Sequence, residues 1–202
     1  MNGWYFIGYW LSRFFFRVFF RLKIVNRKNL LEDGGVIYAA NHASYFDPPV
    51  IAVSCRKAIF FLARKSLLKW PVLGPIFPKI NVIPVDQERA DMSALKTVIK
   101  LVREGQRTII FPEGSRTPDG DLQPAQPGIG LVIAKTLAPV VPMRIFGSYE
   151  AFPRHAKRVK LAKITVVIGK PIYFTEADVT GGRDAYQRIS ERVMREIANL
   201  TL

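Results

Sequence analysis

Two side chains capable of acid-base chemistry, His42 and Asp47, stand in an H-x-x-x-x-D pattern within Asn-His-Ala-Ser-Tyr-Phe-Asp-Pro, residues 41–48. A strand-like run precedes His42, and Pro48 follows the aspartate as a residue favoured in the first turn of a helix. A tight turn between strand and helix can bring the carboxylate to one imidazole nitrogen and leave the other free, which is a general-base arrangement. By spacing alone, a capping aspartate and a histidine with only a backbone hydrogen bond fit equally well.

A second polar stretch, Phe-Pro-Glu-Gly-Ser-Arg-Thr at residues 111–117, directly follows another strand-like run. Gly114 lies among Glu113, Ser115 and Arg116, so backbone amides, a hydroxyl and a guanidinium are available close together. Those are the donors that bind a phosphate. A surface turn in which Glu113 pairs with Arg116 is the alternative.

Short β-rich runs alternate with helical periods along most of the chain. The strand candidates are residues 34–40, 58–62, 108–111, 140–145 and 164–168. Helices are predicted at 91–104 and 184–200, beginning at Asp91 and Asp184. The alternation predicts one α/β domain over residues 24–202, with a largely parallel or mixed sheet flanked by helices. Functional groups are expected beyond the carboxyl ends of the strands.

Residues 1–23 form an N-terminal segment dominated by aromatic side chains, which supply ten of the first 20 residues. Arg13, Arg17 and Arg21 recur at helical spacing and would form a basic stripe. The apolar run is shorter than the roughly 20 residues that span a bilayer. The segment predicts an interfacial amphipathic helix, or two short helices broken near Gly8, with guanidinium groups towards lipid phosphate. A core helix with solvated arginines is the alternative.

The net charge of +14 indicates an anionic partner, either a membrane surface or a nucleic acid. No known nucleic-acid reader motif is present, and the aromatic residues are massed in one segment rather than interleaved on strands, so the membrane is favoured. The single cysteine, Cys55, excludes an intramolecular disulfide and is expected to be buried. Two widely separated histidines and no acidic cluster predict that the protein binds no metal.

A second basic stretch lies near the C-terminus. Its members are Arg154, His155, Lys157, Arg158, Lys160, Lys163 and Lys170. A solvated face or further attraction to a membrane is favoured over a docking patch for acidic acyl carrier protein. His155 is expected to be an exposed residue without a catalytic role.

Together, the two polar stretches resemble the glycerolipid acyltransferase family, in particular bacterial 1-acyl-glycerol-3-phosphate acyltransferases. His42 and Asp47 match the family's H-x-x-x-x-D block, and residues 111–116 match its F-P-E-G-[ST]-R block. The apolar run at 140–145 resembles a third family element, a strand carrying a proline. Ala63-Arg64-Lys65 approximates an Ala-Lys block, and the likeness extends from about residue 24 to about 170.

The resemblance implies transfer of a fatty acyl group from acyl-CoA or acyl carrier protein to the free hydroxyl of 1-acyl-glycerol-3-phosphate, without a bound cofactor. His42 would be the base and Asp47 its partner. The implied acceptor-binding residues are Arg64, Lys65, Arg89, Glu113, Gly114, Ser115 and Arg116. The implied location is the cytoplasmic face of the bacterial inner membrane, with peripheral or monotopic attachment.

The chain departs from the family pattern at two cationic positions. Gln87 stands where the family usually has an arginine, although Arg89 follows closely, and Gln126 stands where a lysine is common. Another lysophospholipid or an amino-acid lipid is therefore an alternative acceptor. A non-catalytic basic protein that binds membranes or nucleic acid is a further alternative, which the intact His42 and Asp47 disfavour.

Overall fold

The computed structural model describes residues 3–65, 74–75, 77–85 and 92–202. The strands are β1 (Lys23–Val25), β2 (Val36–Ala40), β3 (Phe60–Arg64), β4 (Val82–Val85), β5 (Arg107–Ile110), β6 (Val140–Phe146) and β7 (Thr165–Ile168). The helices are α1 (Gly3–Phe19), α2 (Asp47–Ser54), α3 (Met92–Arg103), α4 (Gly128–Thr136), α5 (Ser148–Ala151) and α6 (Gly182–Ala198).

The strands of the described chain form one mixed sheet in the order β1-β7-β6-β2-β5-β3-β4. The central five, from β6 to β4, run parallel, whereas β7 is antiparallel to β6 and carries β1 beside it in parallel. The predicted α/β fold with a parallel or mixed sheet is confirmed. Because β2, β5 and β3 are neighbours and run the same way, their carboxyl ends meet at one edge, called here the catalytic edge.

Helices cover both faces of the sheet, which explains why β2 is buried along its whole length. Val36, Tyr38 and Ala40 pack in the core shared with α1 and α2. Ile37 and Ala39 point the other way, into the core formed with α3, α4 and α6. This alternation fixes the strand register, since a shift by one residue would exchange the two faces.

Helix α1 is one continuous helix from Gly3 to Phe19, which decides between the two predicted options, one helix or two short helices broken near Gly8, in favour of the first. Its inner side belongs to the domain core: Phe16 and the adjacent Phe20 are buried. The buried hydroxyl of Tyr5 accepts a hydrogen bond of 3.1 Å from the backbone amide of Ile59. No described helix is long and apolar enough to cross a bilayer.

The prediction of one basic stripe at Arg13, Arg17 and Arg21 is wrong. The guanidinium of Arg13 donates to the backbone oxygen of Val53 at 2.9 Å, so it binds the C-terminal turn of α2 instead of facing outward. Arg21 lies beyond the end of the helix, with a left-handed φ of 46°. Only Arg17 is both helical and exposed. A carboxyl-terminal helix turn attracts a cation, and that attraction redirects Arg13.

Sequence periodicity missed two short strands, β1 and β4, together with helices α4 and α5. Both strands lie at the ends of the sheet, pair on one side only, and are three and four residues long, which is too short for a clear alternating pattern. Pro84 within β4 is exposed and is tolerated because an edge strand leaves backbone amides unpaired. The predicted end of α3 at residue 104 lies one residue beyond its observed end at Arg103, and Gly105 follows with φ +79° and an amide that donates to the oxygen of Val102. The predicted first residue of that helix, Asp91, lies outside the described residues.

Candidate active site

The two residues of the first polar stretch form a hydrogen-bonded pair at the catalytic edge. Nδ1 of His42 lies 2.9 Å from Oδ2 of Asp47. The aspartate side chain is fully buried, whereas 18% of the histidine side chain is exposed. Because the carboxylate accepts the proton on Nδ1, the imidazole keeps Nε2 as its free basic nitrogen. The pair has the geometry of a general base whose tautomer is fixed by a carboxylate.

Asp47 also determines the conformation of the turn that carries His42. The same Oδ2 atom accepts hydrogen bonds from the backbone amides of Ala43 at 2.6 Å and Ser44 at 2.7 Å. Helix α2 begins at Asp47 itself, so the carboxylate lies at the positive end of the helix dipole. The alternative role as a helix cap is not observed, because α2 has no side-chain cap hydrogen bond and the amides that Asp47 binds precede the helix.

The second polar stretch holds His42 from three directions. The ring of Phe111 stacks on the imidazole, with centroids 4.0 Å apart and planes inclined by 14°. The backbone amide of His42 donates to Oε1 of Glu113 at 2.8 Å. The backbone oxygen of His42 accepts from the amide of Thr117 at 2.8 Å. The two motifs therefore form one unit in which the second positions the base of the first.

Glu113 is buried, with 4% of the residue exposed. Its Oε1 accepts from His42, and its Oε2 accepts from the amide of Gln123 at 3.1 Å. Burial raises the pKa of its carboxyl group to about 7. The surface pair with Arg116, the alternative that the sequence left open, is not formed, because Glu113 is buried and backbone amides bind both of its oxygens.

The raised pKa of Glu113 gives a pH-dependent prediction. Its carboxyl group stays protonated in the folded protein up to about pH 7 but ionises near 4.5 in the unfolded chain. Its contribution to stability is complete below pH 4.5 and is lost as the pH rises through 7. Between those values, the free energy of unfolding of the wild type, measured relative to Glu113→Gln, should fall by about 2 to 3 kcal/mol. Urea denaturation of both proteins at several pH values measures this difference; a flat or rising difference would contradict it.

Arg116 lies at the end of the second stretch, and its guanidinium carbon is 3.6 Å from the centre of the Tyr45 ring. Its Nη1 atom is buried and has no hydrogen-bond partner among the described residues. A guanidinium held by an aromatic face with a donor unused can bind an incoming anion. The sequence gives no indication of a role for Tyr45, because the residue that packs on its ring, Arg116, lies about 70 positions away in the chain, after β5.

The remaining predicted acceptor-binding residues are placed less completely. Gly114 adopts the left-handed φ of +72° that its turn requires, and Ser115 is exposed beside it. Arg64 is the last residue of β3 and Lys65 follows it, so both lie at the catalytic edge. Arg89 and Gln87 lie outside the described residues. Within the described ranges no cluster of three or more potential metal ligands is found.

A family model described as Acyltransferase matches residues 21–146, which include both polar stretches and six of the strands. The chain belongs to the acyltransferase family. The match covers β1 to β6 and ends with β6, the strand that pairs with β2. The assignment made from the two motifs is thereby confirmed.

Named relatives agree with this assignment. The chain is 28% identical over 180 residues to a 1-acyl-sn-glycerol-3-phosphate acyltransferase of Bacillus subtilis, covering 89% of this chain and 87% of that protein. It is 30% identical over 165 residues to a chloroplastic 1-acyl-sn-glycerol-3-phosphate acyltransferase of Brassica napus. That alignment covers 80% of this chain but 48% of the plant protein, so the chain spans about half the length of that relative.

A solved structure supports the fold. The crystal structure of the 1-acyl-sn-glycerophosphate (LPA) acyltransferase from Thermotoga maritima superimposes with a TM-score of 0.74. The alignment covers 98% of this chain and 82% of that chain, at 24% sequence identity. The mixed sheet and its flanking helices are therefore a shared architecture.

Proposed function

We propose that this acyltransferase moves a fatty acyl group from a thioester, on coenzyme A or acyl carrier protein, to the free hydroxyl of 1-acyl-glycerol-3-phosphate. The observation that carries the proposal is the His42–Asp47 pair, with its 2.9 Å contact and free Nε2. The family membership and the names of the relatives support the same reaction class. The product would be phosphatidic acid, the diacylated phosphate used in phospholipid synthesis.

In the proposed mechanism His42 acts as base and then as acid. Its Nε2 takes the proton of the acceptor hydroxyl as the oxygen attacks the thioester carbonyl. The buried carboxylate of Asp47 stabilises the imidazolium that forms and keeps it oriented. Collapse of the tetrahedral intermediate forms the ester and releases a thiolate, which takes the proton back from His42. Every proton is balanced within the protein and its two substrates, and no acyl-enzyme is required.

The acceptor head group is proposed to bind beside Arg116. The guanidinium already packs on Tyr45, so its orientation is established before the ligand arrives. Its unused donor would bind a phosphate oxygen, and Arg64, Lys65 and Arg89 would add positive charge. Glu113 and Gly114 would shape the turn that carries Ser115 and Arg116, with Glu113 acting through the His42 backbone and not on the ligand.

The outward side of α1 supports peripheral binding to an anionic membrane, with the cytoplasmic leaflet as the proposed face. Eight of its large apolar side chains are more than half exposed. They are Trp4, Phe6, Ile7, Trp10, Leu11, Phe14, Val18 and Phe19. We call this set the apolar face of α1. An exposed aromatic surface of this extent is typical of a helix that lies in a membrane interface.

The function is tested by acyl transfer in mixed micelles with purified protein. Labelled acyl-CoA and carrier protein loaded with the same labelled acyl group are offered separately as donors. The acceptors are 1-acyl-glycerol-3-phosphate and other lysolipids. Phosphatidic acid should be the main product. Preference for another lysolipid would show that Gln87 has redirected the acceptor, and absence of turnover with either donor would refute the proposal.

The contact between Arg116 and Tyr45 predicts a graded effect on acceptor affinity. Removing a charge-assisted hydrogen bond in Arg116→Ala should raise KM for 1-acyl-glycerol-3-phosphate by about 10- to 100-fold. Tyr45→Leu removes only the stacking face and should raise KM about 2- to 5-fold. Tyr45→Phe keeps the ring and serves as the matched control. Equal KM values for Tyr45→Leu and Tyr45→Phe would contradict an orienting role for the ring.

A further inference from the structure

The segment between α5 and β7 forms a loop that closes on itself at the catalytic edge. The backbone amide of Lys160 donates to the oxygen of Ala151 at 2.9 Å, joining the two sides of the loop. Next to the residues where the loop begins, Ser44 Oγ and the amide of Tyr45 both donate to the backbone oxygen of Phe152, at 2.8 and 3.3 Å. The loop therefore packs against the same turn that links His42 to Asp47.

Residues 154–163, called here the basic loop, combine positive charge with exposed apolar side chains. The exposed cations are Arg154, Lys157, Arg158, Lys160 and Lys163. Between them, Val159 is 47% exposed and Leu161 is 75% exposed. No acidic residue occurs from 151 to 175. Charge alone would suit a solvated loop, but an outward leucine flanked by lysines suits the boundary between lipid head groups and acyl chains.

The basic loop is continuous with the C-terminal end of α1. The amide of Ile164 donates to the oxygen of Phe20 at 2.9 Å, and the amide of Lys23 donates to the oxygen of Ile164 at 3.0 Å. Phe19, a member of the apolar face of α1, and the exposed Arg21 flank Phe20. Two exposed elements with matching chemistry thus meet beside the catalytic edge.

We propose that the basic loop is a second membrane-binding element, which binds anionic phospholipid head groups through its cations and inserts Val159 and Leu161 into the interface. The inference rests on the proposed membrane association through α1 and extends it. Contacts at both α1 and the loop would hold the catalytic edge against the bilayer, where the lysolipid already lies. A bilayer is favoured over an acidic carrier protein because the loop adjoins the apolar face of α1.

Insertion is tested by attaching an environment-sensitive fluorophore to Leu161→Cys. The native Cys55 is fully buried and its thiol pKa is raised to about 12, so labelling is confined to the new cysteine. Lys96→Cys is the matched control. Lys96 is exposed on α3, which packs on the face of the sheet opposite to α1. With vesicles of phosphatidylcholine and phosphatidylglycerol, the label at 161 should shift to shorter wavelength and be quenched by a spin-labelled lipid. The label at 96 should change in neither respect.

The contribution of charge is tested by the double variant Lys157→Gln/Arg158→Gln in vesicle sedimentation. Loss of two cations near the surface should weaken binding to anionic vesicles by about 25-fold. The control Lys96→Gln/Lys135→Gln removes the same charge from exposed positions on α3 and α4 and should weaken it far less. Equal weakening by the two double variants would overturn the inference.

The remaining outcomes separate this inference from the proposed function. Protein that sediments with vesicles while the label at 161 is unchanged binds through α1 alone, and the inference fails while the proposed reaction stands. A shift with acyl carrier protein but not with vesicles identifies the loop as a carrier-docking surface and overturns the inference. A lipid-dependent shift in a protein without acyltransferase activity supports the loop and refutes the proposed reaction.

Discussion

Replacing His42 with alanine is expected to lower kcat for acyl transfer by about 10³-fold, because the variant lacks the imidazole that would accept the proton of the acceptor hydroxyl. The fold should survive, because the imidazole is partly exposed and the hydrogen bonds with Glu113 and Thr117 are made by the backbone of residue 42, whose amide donates to Glu113 and whose oxygen accepts from Thr117. Initial rates in mixed micelles give kcat and KM, and urea denaturation gives the free energy of unfolding.

His155→Ala is the matched control for this experiment. His155 is exposed on the basic loop, so its loss should leave kcat within about twofold of the wild type. A His42→Ala variant that keeps most of its activity in a folded state would exclude the proposed base. A KM for the acceptor that stays near the wild-type value would show that the residue acts on the reaction and not on binding.

Replacing Asp47 with alanine is expected to damage both catalysis and stability. Oδ2 of Asp47 accepts three hydrogen bonds, from the ring of His42 and from the amides of Ala43 and Ser44. Without the carboxylate, two backbone amides at a buried turn lose their partner, which should lower the free energy of unfolding by about 3 kcal/mol. The loss of kcat should not exceed that of His42→Ala and should reach about 10²- to 10³-fold, because the imidazole remains but loses both its orientation and its counter-charge.

Asp47→Asn separates the two effects. The amide is nearly isosteric and its oxygen can still accept a hydrogen bond from the turn, so part of the stability should return. It cannot stabilise an imidazolium, so kcat should stay low. Asp184→Ala, at an exposed aspartate in the first turn of α6, serves as control. Recovery of activity together with stability in the asparagine variant would show that Asp47 only stabilises the turn that carries His42.

The sequence by itself determined the family and the class of fold. His42, Asp47 and the Phe111–Arg116 block stand out as polar turns after strand-like runs, and their resemblance to two blocks of a known family assigned them a role. The five predicted strands appear because strands buried on both faces read as short apolar runs. Placing the functional groups beyond strand ends required only the alternation of strands and helices.

Only the tertiary structure decided how these parts meet. The order of the strands places β5 directly beside β2, so Phe111 stacks on His42 and Glu113 accepts a hydrogen bond from its backbone. Arg13 turns inward to α2, and Tyr45 lies under Arg116, because in each case a distant segment of the chain packs beside the residue. Local sequence encodes the conformation of a turn, but the partner of a side chain in that turn depends on which distant segment packs against it.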